Sequence, residues 1–113
     1  MFNANAIRLK ACRRRGGLDQ AELSKLVGLR NYNTISRFER GVNLPDAPVL
    51  IAYELIFDIP VATLLPDTSR IVRKHTYLRA VRLLKHCKAS PNDCQNKIEF
   101  LEDVCQKLLN KNV

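Results

Sequence analysis

Residues 18–41 read LDQAELSKLVGLRNYNTISRFERG, and their punctuation sets out two short helices around a turn. Asp19 is a favourable N-cap, because its carboxylate can accept the free N–H groups of a first helical turn, and Glu22 three residues on completes a capping box. Leu23, Leu26 and Val27 supply an inner face, and Gly28 ends the helix. Asn31 caps a second helix in which Ile35 and Phe38 point inward and Gly41 terminates. The outer face of that second helix is left to Tyr32, Asn33, Thr34, Ser36 and Arg37.

Upstream, a helix from about Asn5 to Arg15 carries Leu9 and Cys12 on one face and meets Gly16-Gly17, glycine being the residue that most easily takes the left-handed exit. Downstream, VLIAYELIF (residues 49–57) follows Pro45-Asp46. An apolar run of this length reads as a buried strand or a buried helix, and the Asp46 cap with Pro48 in the first turn favours helix. A last short helix from Pro60 to Leu65 is stopped by Pro66. The first 66 residues are thus five short helices, an all-α domain.

A support helix, a tight turn and a second helix with a polar outer face form the layout of a helix-turn-helix. The sequence resembles the lambda-repressor-like helix-turn-helix domains of the Xre and Cro class from about Asn5 to Leu65, with Gly41, Pro45, Leu50, Ile51, Phe57, Ile59, Leu64 and Leu65 at turn or core positions. That resemblance implies a DNA-binding domain in which Tyr32, Asn33, Thr34, Ser36 and Arg37 touch base edges. It implies phosphate contacts for Gln20, Arg30, Asn31, Arg40 and Asn43, with Gln20 also bracing the recognition helix. It further implies a semi-buried ion pair between Arg13 and Glu39. Three positions depart from the pattern. Ser24 replaces the usual alanine at the helix contact. Asp58 stands where a glycine is usual, which aspartate tolerates in a left-handed conformation. Gly28 to Ile35 is one residue longer than is common, with Arg30 or Asn31 the extra one, so two registers of Tyr32 and Asn33 stay open.

The side-chain chemistry is consistent with these roles on its own terms. The planar fork of Arg37 suits guanine O6 and N7, and the amide of Asn33 suits adenine N6 and N7, each contact contributing about 1–3 kcal/mol of discrimination. Tyr32 suits a thymine methyl or a phosphate.

Nineteen basic against eleven acidic side chains leave the 113-residue chain at +8, which favours polyanionic partners. Residues 68–88, TSRIVRKHTYLRAVRLLKHCK, hold seven basic side chains and no acidic one. Ile71, Leu78, Val81, Leu84 and Cys87 recur there near helical spacing. Two readings of this segment stand side by side: an arm on DNA phosphates, or a solvated face paired with Glu99, Glu102 and Asp103. Ser90, Pro91 and Asp93 read as the start of a following helix. Its Cys94, Ile98, Leu101, Cys105 and Leu108 make a coiled-coil seam at steps of four, three, four and three. Residues 67–113 are therefore a two-helix extension to the 1–66 domain, a basic hairpin or a dimerisation element.

The opening MFNANAIRLK has neither an apolar segment nor a small-residue cleavage site, so a cytoplasmic setting with free thiols is expected. No run approaches the length of a membrane span. His75, His86, Cys87, Cys94 and Cys105 lack the spacing of a zinc site, and no metal or other cofactor is expected. P-loop, dinucleotide, zinc-protease and nucleophile-elbow motifs are missing, so the chain does not read as an enzyme. The expected function is a dimeric, sequence-specific transcriptional regulator, a repressor of the mobile-element type, reading an inverted repeat in a double-stranded DNA operator. The alternative is a protein-interaction module, an antitoxin or antirepressor-type partner, acting through residues 67–113.

Overall fold

The computed structural model describes residues 3–89 and 95–110, which hold seven helices and no strand. In chain order these are α1 (Ala4–Arg15), α2 (Gln20–Leu26), α3 (Asn33–Glu39), α4 (Ala47–Phe57), α5 (Val61–Leu64), α6 (Pro66–Ala89) and α7 (Gln95–Leu109). The chain divides into a compact unit up to Ser69 and a second from Arg70 onward.

Local chemistry explains most of the boundaries in the first unit. The Asn3 side chain accepts from the Ala6 N–H at 3.0 Å and starts α1. The α2 capping box is complete: Asp19 accepts from the Glu22 N–H at 2.7 Å, and Glu22 accepts from the Asp19 N–H at 2.9 Å. Asp46 caps α4 through the Val49 N–H at 3.2 Å. That settles the 49–57 run as helix. The helix leaves through Asp58, left-handed at φ 55°, as the departure from glycine requires. The buried core gathers Leu9, Cys12, Leu23, Ile35, Phe38, Val49, Tyr53, Leu64 and Leu65, so all five helices of the unit contribute to one apolar centre.

Four sequence expectations need correction. Asn31 is not the N-cap of α3; Tyr32 takes that position with helical dihedrals and no side-chain cap. Asn31 acts from one residue further out, accepting from the Asn33 N–H at 2.9 Å, which is how the longer turn satisfies one of the helix's free donors. Leu26 is 56% exposed, because Leu23, Ser24 and Val27 already define the inward arc of this seven-residue helix. Ile51 is 57% exposed, since the inward side of α4 is centred on Val49 and Tyr53 and Ile51 falls opposite. Pro66 begins a helix rather than only ending one: it is the first residue of α6, where a missing N–H costs nothing.

Asp67 and Thr68 stay with the first unit. The Asp67 carboxylate accepts from the Ala4 N–H at 2.8 Å, the Asp67 N–H donates to the Asn5 side-chain oxygen at 2.9 Å, and the Asn5 amide donates to the Thr68 hydroxyl at 2.8 Å. In the second unit α6 buries Ala80 and Cys87 and half-buries Val81 and Leu84, leaving Ile71 and Leu78 exposed. On α7, Leu101 is buried and Ile98, Cys105 and Leu108 are half-buried. Cys94, the first position of the expected seam, and the helix start at Ser90 to Asp93 lie outside the described residues.

Candidate nucleic-acid interface

The second helix of the motif, α3, is held from its inner side by a polar joint. Arg13 on α1 donates from Nε to Glu39 Oε2 at 2.7 Å and from an Nη to Oε1 at 2.9 Å, a two-pronged contact that fixes orientation as well as distance. Its other Nη donates to the Leu18 carbonyl at 2.9 Å, in the α1–α2 turn. Gln20, the first residue of α2, donates to Glu39 Oε1 at 3.2 Å. One carboxylate at the end of α3 thus ties together α1, α2 and α3. Side-chain exposures of 11% for Arg13 and 2% for Glu39 leave the carboxylate almost no access to water and the guanidinium little. The hydrogen bonds to Glu39 raise the Arg13 pKa above its ordinary value although burial acts in the opposite direction. The guanidinium therefore stays charged.

Tyr53 on α4 lies in the same electrostatic neighbourhood. It is fully buried, its hydroxyl has no hydrogen-bond partner among the described residues, and burial pushes its pKa well up, the Glu39 carboxylate adding to the effect. Its ring meets Phe57 at 5.7 Å between centroids.

With Ile35, Phe38 and Glu39 turned inward, helical spacing places Asn33, Arg37 and Arg40 in one outward row at steps of four and three. Asn33 and Arg37 are exposed, and Tyr32 stands exposed at the N-cap. Ser36 and Thr34 flank the row and are half-buried. The Ser36 hydroxyl accepts from Arg40 Nε at 3.2 Å, which holds the Arg40 fork along the helix. Thr34 and Asn43 line a shallow groove with Leu29, Phe38, Leu44 and Val49. Arg30 and Asn31 are exposed in the turn.

Ser24 is buried where α2 approaches α3 and satisfies its hydroxyl by donating to the Ala21 carbonyl at 2.7 Å. That bond explains how a hydroxyl replaces a methyl there. Two residues of the site region carried no sequence signal. The Leu18 carbonyl is a backbone group, which no side-chain motif reports. Asn3 is isolated in the sequence, yet its amide packs against Gly41, where an added Cβ would lie 2.6 Å from Asn3 Nδ2.

Of the metal candidates, His75 and His86 are exposed, Cys87 is buried and Cys105 half-buried, and the described residues contain no group of three potential ligands. Cys12, Cys87 and Cys105 are free thiols. No helix of the described residues is long and apolar enough to cross a membrane.

A helix-turn-helix family model matches residues 9–64. No curated protein and no solved structure matches the chain. The matched span contains the whole of α2 to α5, the Arg13–Glu39 joint and the outward row of α3. Residues 9–64 are a helix-turn-helix domain of the lambda-repressor-like, Xre/Cro type, the DNA-binding module of a transcriptional regulator.

Proposed function

We propose that this chain is a cytoplasmic, sequence-specific repressor that binds an inverted repeat as a homodimer, of the compact kind that serves mobile elements and controls its own promoter. The observation that carries the reading is the outward row Asn33, Arg37 and Arg40 on a helix whose opposite side is clamped by Arg13, Gln20 and Glu39. A reading helix needs both properties, since misplacing a bidentate contact by an ångström forfeits its discrimination. Asn33 and Arg37 take base edges, with Tyr32, Thr34 and Ser36 beside them. Gln20, Arg30, Asn31, Arg40 and Asn43 hold phosphates around the row. Two such helices about one duplex turn apart fit a two-fold operator.

A second reading, an antitoxin or antirepressor-type interaction module, draws on α7, where Phe100 is 64% exposed and Leu109 is also exposed. A homodimer would cover the same surface, so the two readings separate by experiment. Selection of the tightest duplexes from a random pool is expected to enrich an inverted repeat, and Arg37→Ala and Asn33→Ala to abolish the enrichment. Salt-sensitive binding with no enriched sequence would defeat the repressor reading and turn attention to a protein partner of α7.

A further inference from the structure

The long helix α6 carries a second polyanion surface that the helix-turn-helix does not account for. After Asp67 it has no acidic residue, and Lys74, Arg79, Arg82 and Lys85 are all exposed. None of these four makes an ion pair or side-chain hydrogen bond among the described residues. The neutralising partners that the sequence offers are on α7. Of Glu99, Glu102 and Asp103, Glu102 is the one that meets α6, at 3.1 Å from Lys88. The inward arc of α6 is set by Ala80 and Cys87, and helical geometry turns Arg82 and Lys85 roughly 140–160° away from it. Lys74 lies roughly 120–140° and Arg79 roughly 80–100° from it. The acidic side chains of α7 therefore leave this face uncompensated.

We propose that Lys74, Arg79, Arg82 and Lys85 form an arm for the phosphate backbone of duplex DNA, outside the base pairs read by α3. This rests on the repressor reading, because a duplex must first be held by the reading helix. Three features favour DNA over an anionic membrane. The side chains are predominantly guanidinium and ammonium groups spread along about 16 Å of helix axis, the length of about five base pairs. The exposed apolar residues of the helix form two narrow strips, Ile71 with Leu78 and Val72 with Leu83, and Arg79 and Arg82 fall between them, so no continuous apolar face is offered for insertion. The helix begins within the unit that contains the helix-turn-helix, which runs to Ser69, so the basic face is covalently tethered to a DNA-binding domain.

The test is binding of the full-length protein to its selected duplex, with flanks of ten base pairs on each side, across a series of salt concentrations. Each phosphate contact steepens the slope of log K against log salt by about 0.9. The triple variant Arg79→Gln, Arg82→Gln, Lys85→Gln is expected to flatten the slope by about 2.7 per bound protomer while keeping the preference for the selected over a scrambled duplex. Trimming the flanks should flatten the wild-type slope more than that of the variant, which keeps only Lys74 of the arm. Lys88→Gln, whose ammonium is already engaged by Glu102, should leave the slope as it is. An unchanged slope in a triple variant that still selects its sequence would overturn the arm and leave the repressor reading intact. So would loss of binding to phosphatidylglycerol vesicles in the same variant without a change on DNA. Wild-type protein that binds every duplex alike would overturn the repressor reading and the arm with it.

Discussion

Tyr53 places a hydroxyl in the core with nothing to donate to among the described residues, close to a charged pair that stabilises the domain only while both members are present. Tyr53→Phe keeps the ring against Phe57 and removes an unsatisfied polar group. Its stability to urea is expected to equal or exceed that of the parent by up to about 1 kcal/mol. The two proteins should diverge further in alkali. Above about pH 10 the unfolded chain releases the Tyr53 proton while the folded chain keeps it, so the parent loses about 1.4 kcal/mol for each further pH unit and the Phe variant is spared that loss. A parallel decline of both proteins would show that the hydroxyl titrates freely in the fold. At the Arg13–Glu39 joint the direction reverses. Arg13→Ala leaves a nearly inaccessible carboxylate without its main partner and is expected to cost about 3 kcal/mol in chemical denaturation. A cost under about 1 kcal/mol would mean that water replaces the guanidinium.

Among the elements, the turn after α3 and the start of α1 depend on one another through Asn3 and Gly41. Gly41 has φ +77°, which costs an alanine about 1–2 kcal/mol, and the new methyl would also displace the Asn3 amide from its cap on α1. Gly41→Ala should therefore lower stability by about 2 kcal/mol and Asn3→Ala by about 1 kcal/mol. The double variant should lose less than both together, because the clash disappears with the amide. Strict additivity in thermal or urea unfolding would refute the coupling. These elements also mark what can be read from a sequence. Asp19 with Glu22, and Asp46 with Pro48, act within one turn of the residues that they cap, so their helices are legible from the local string. Leu26 and Ile51 are as apolar as Leu23 and Val49, and only the packing of neighbouring helices decides which of them is covered. Asn3 with Gly41, and Asn5 with Thr68, pair residues far apart in the chain, and nothing in the intervening letters announces either contact. At the candidate interface, the identities along α3 are legible, whereas the N-cap at Tyr32 follows from how the longer turn closes through Asn31.

For the whole molecule, a homodimer makes a prediction that a monomer does not. The thermal midpoint should rise as protein concentration is raised over two orders of magnitude, since association adds stability by mass action. Phe100→Asp, on the exposed side of α7, should remove that dependence, and a concentration-independent midpoint in the parent would exclude dimerisation through any surface. The arrangement of α3 has a further consequence. Glu39 and Arg37 are two residues apart, yet one is committed to the frame and the other to the outside, and no side chain of the row Asn33, Arg37 is shared with the joint. Under the proposed reading, recognition and architecture are thus assigned to separate positions of a seven-residue helix. If Asn33 and Arg37 read the operator as proposed, exchanging those two exposed letters would change the target sequence while leaving the buried frame of the domain untouched.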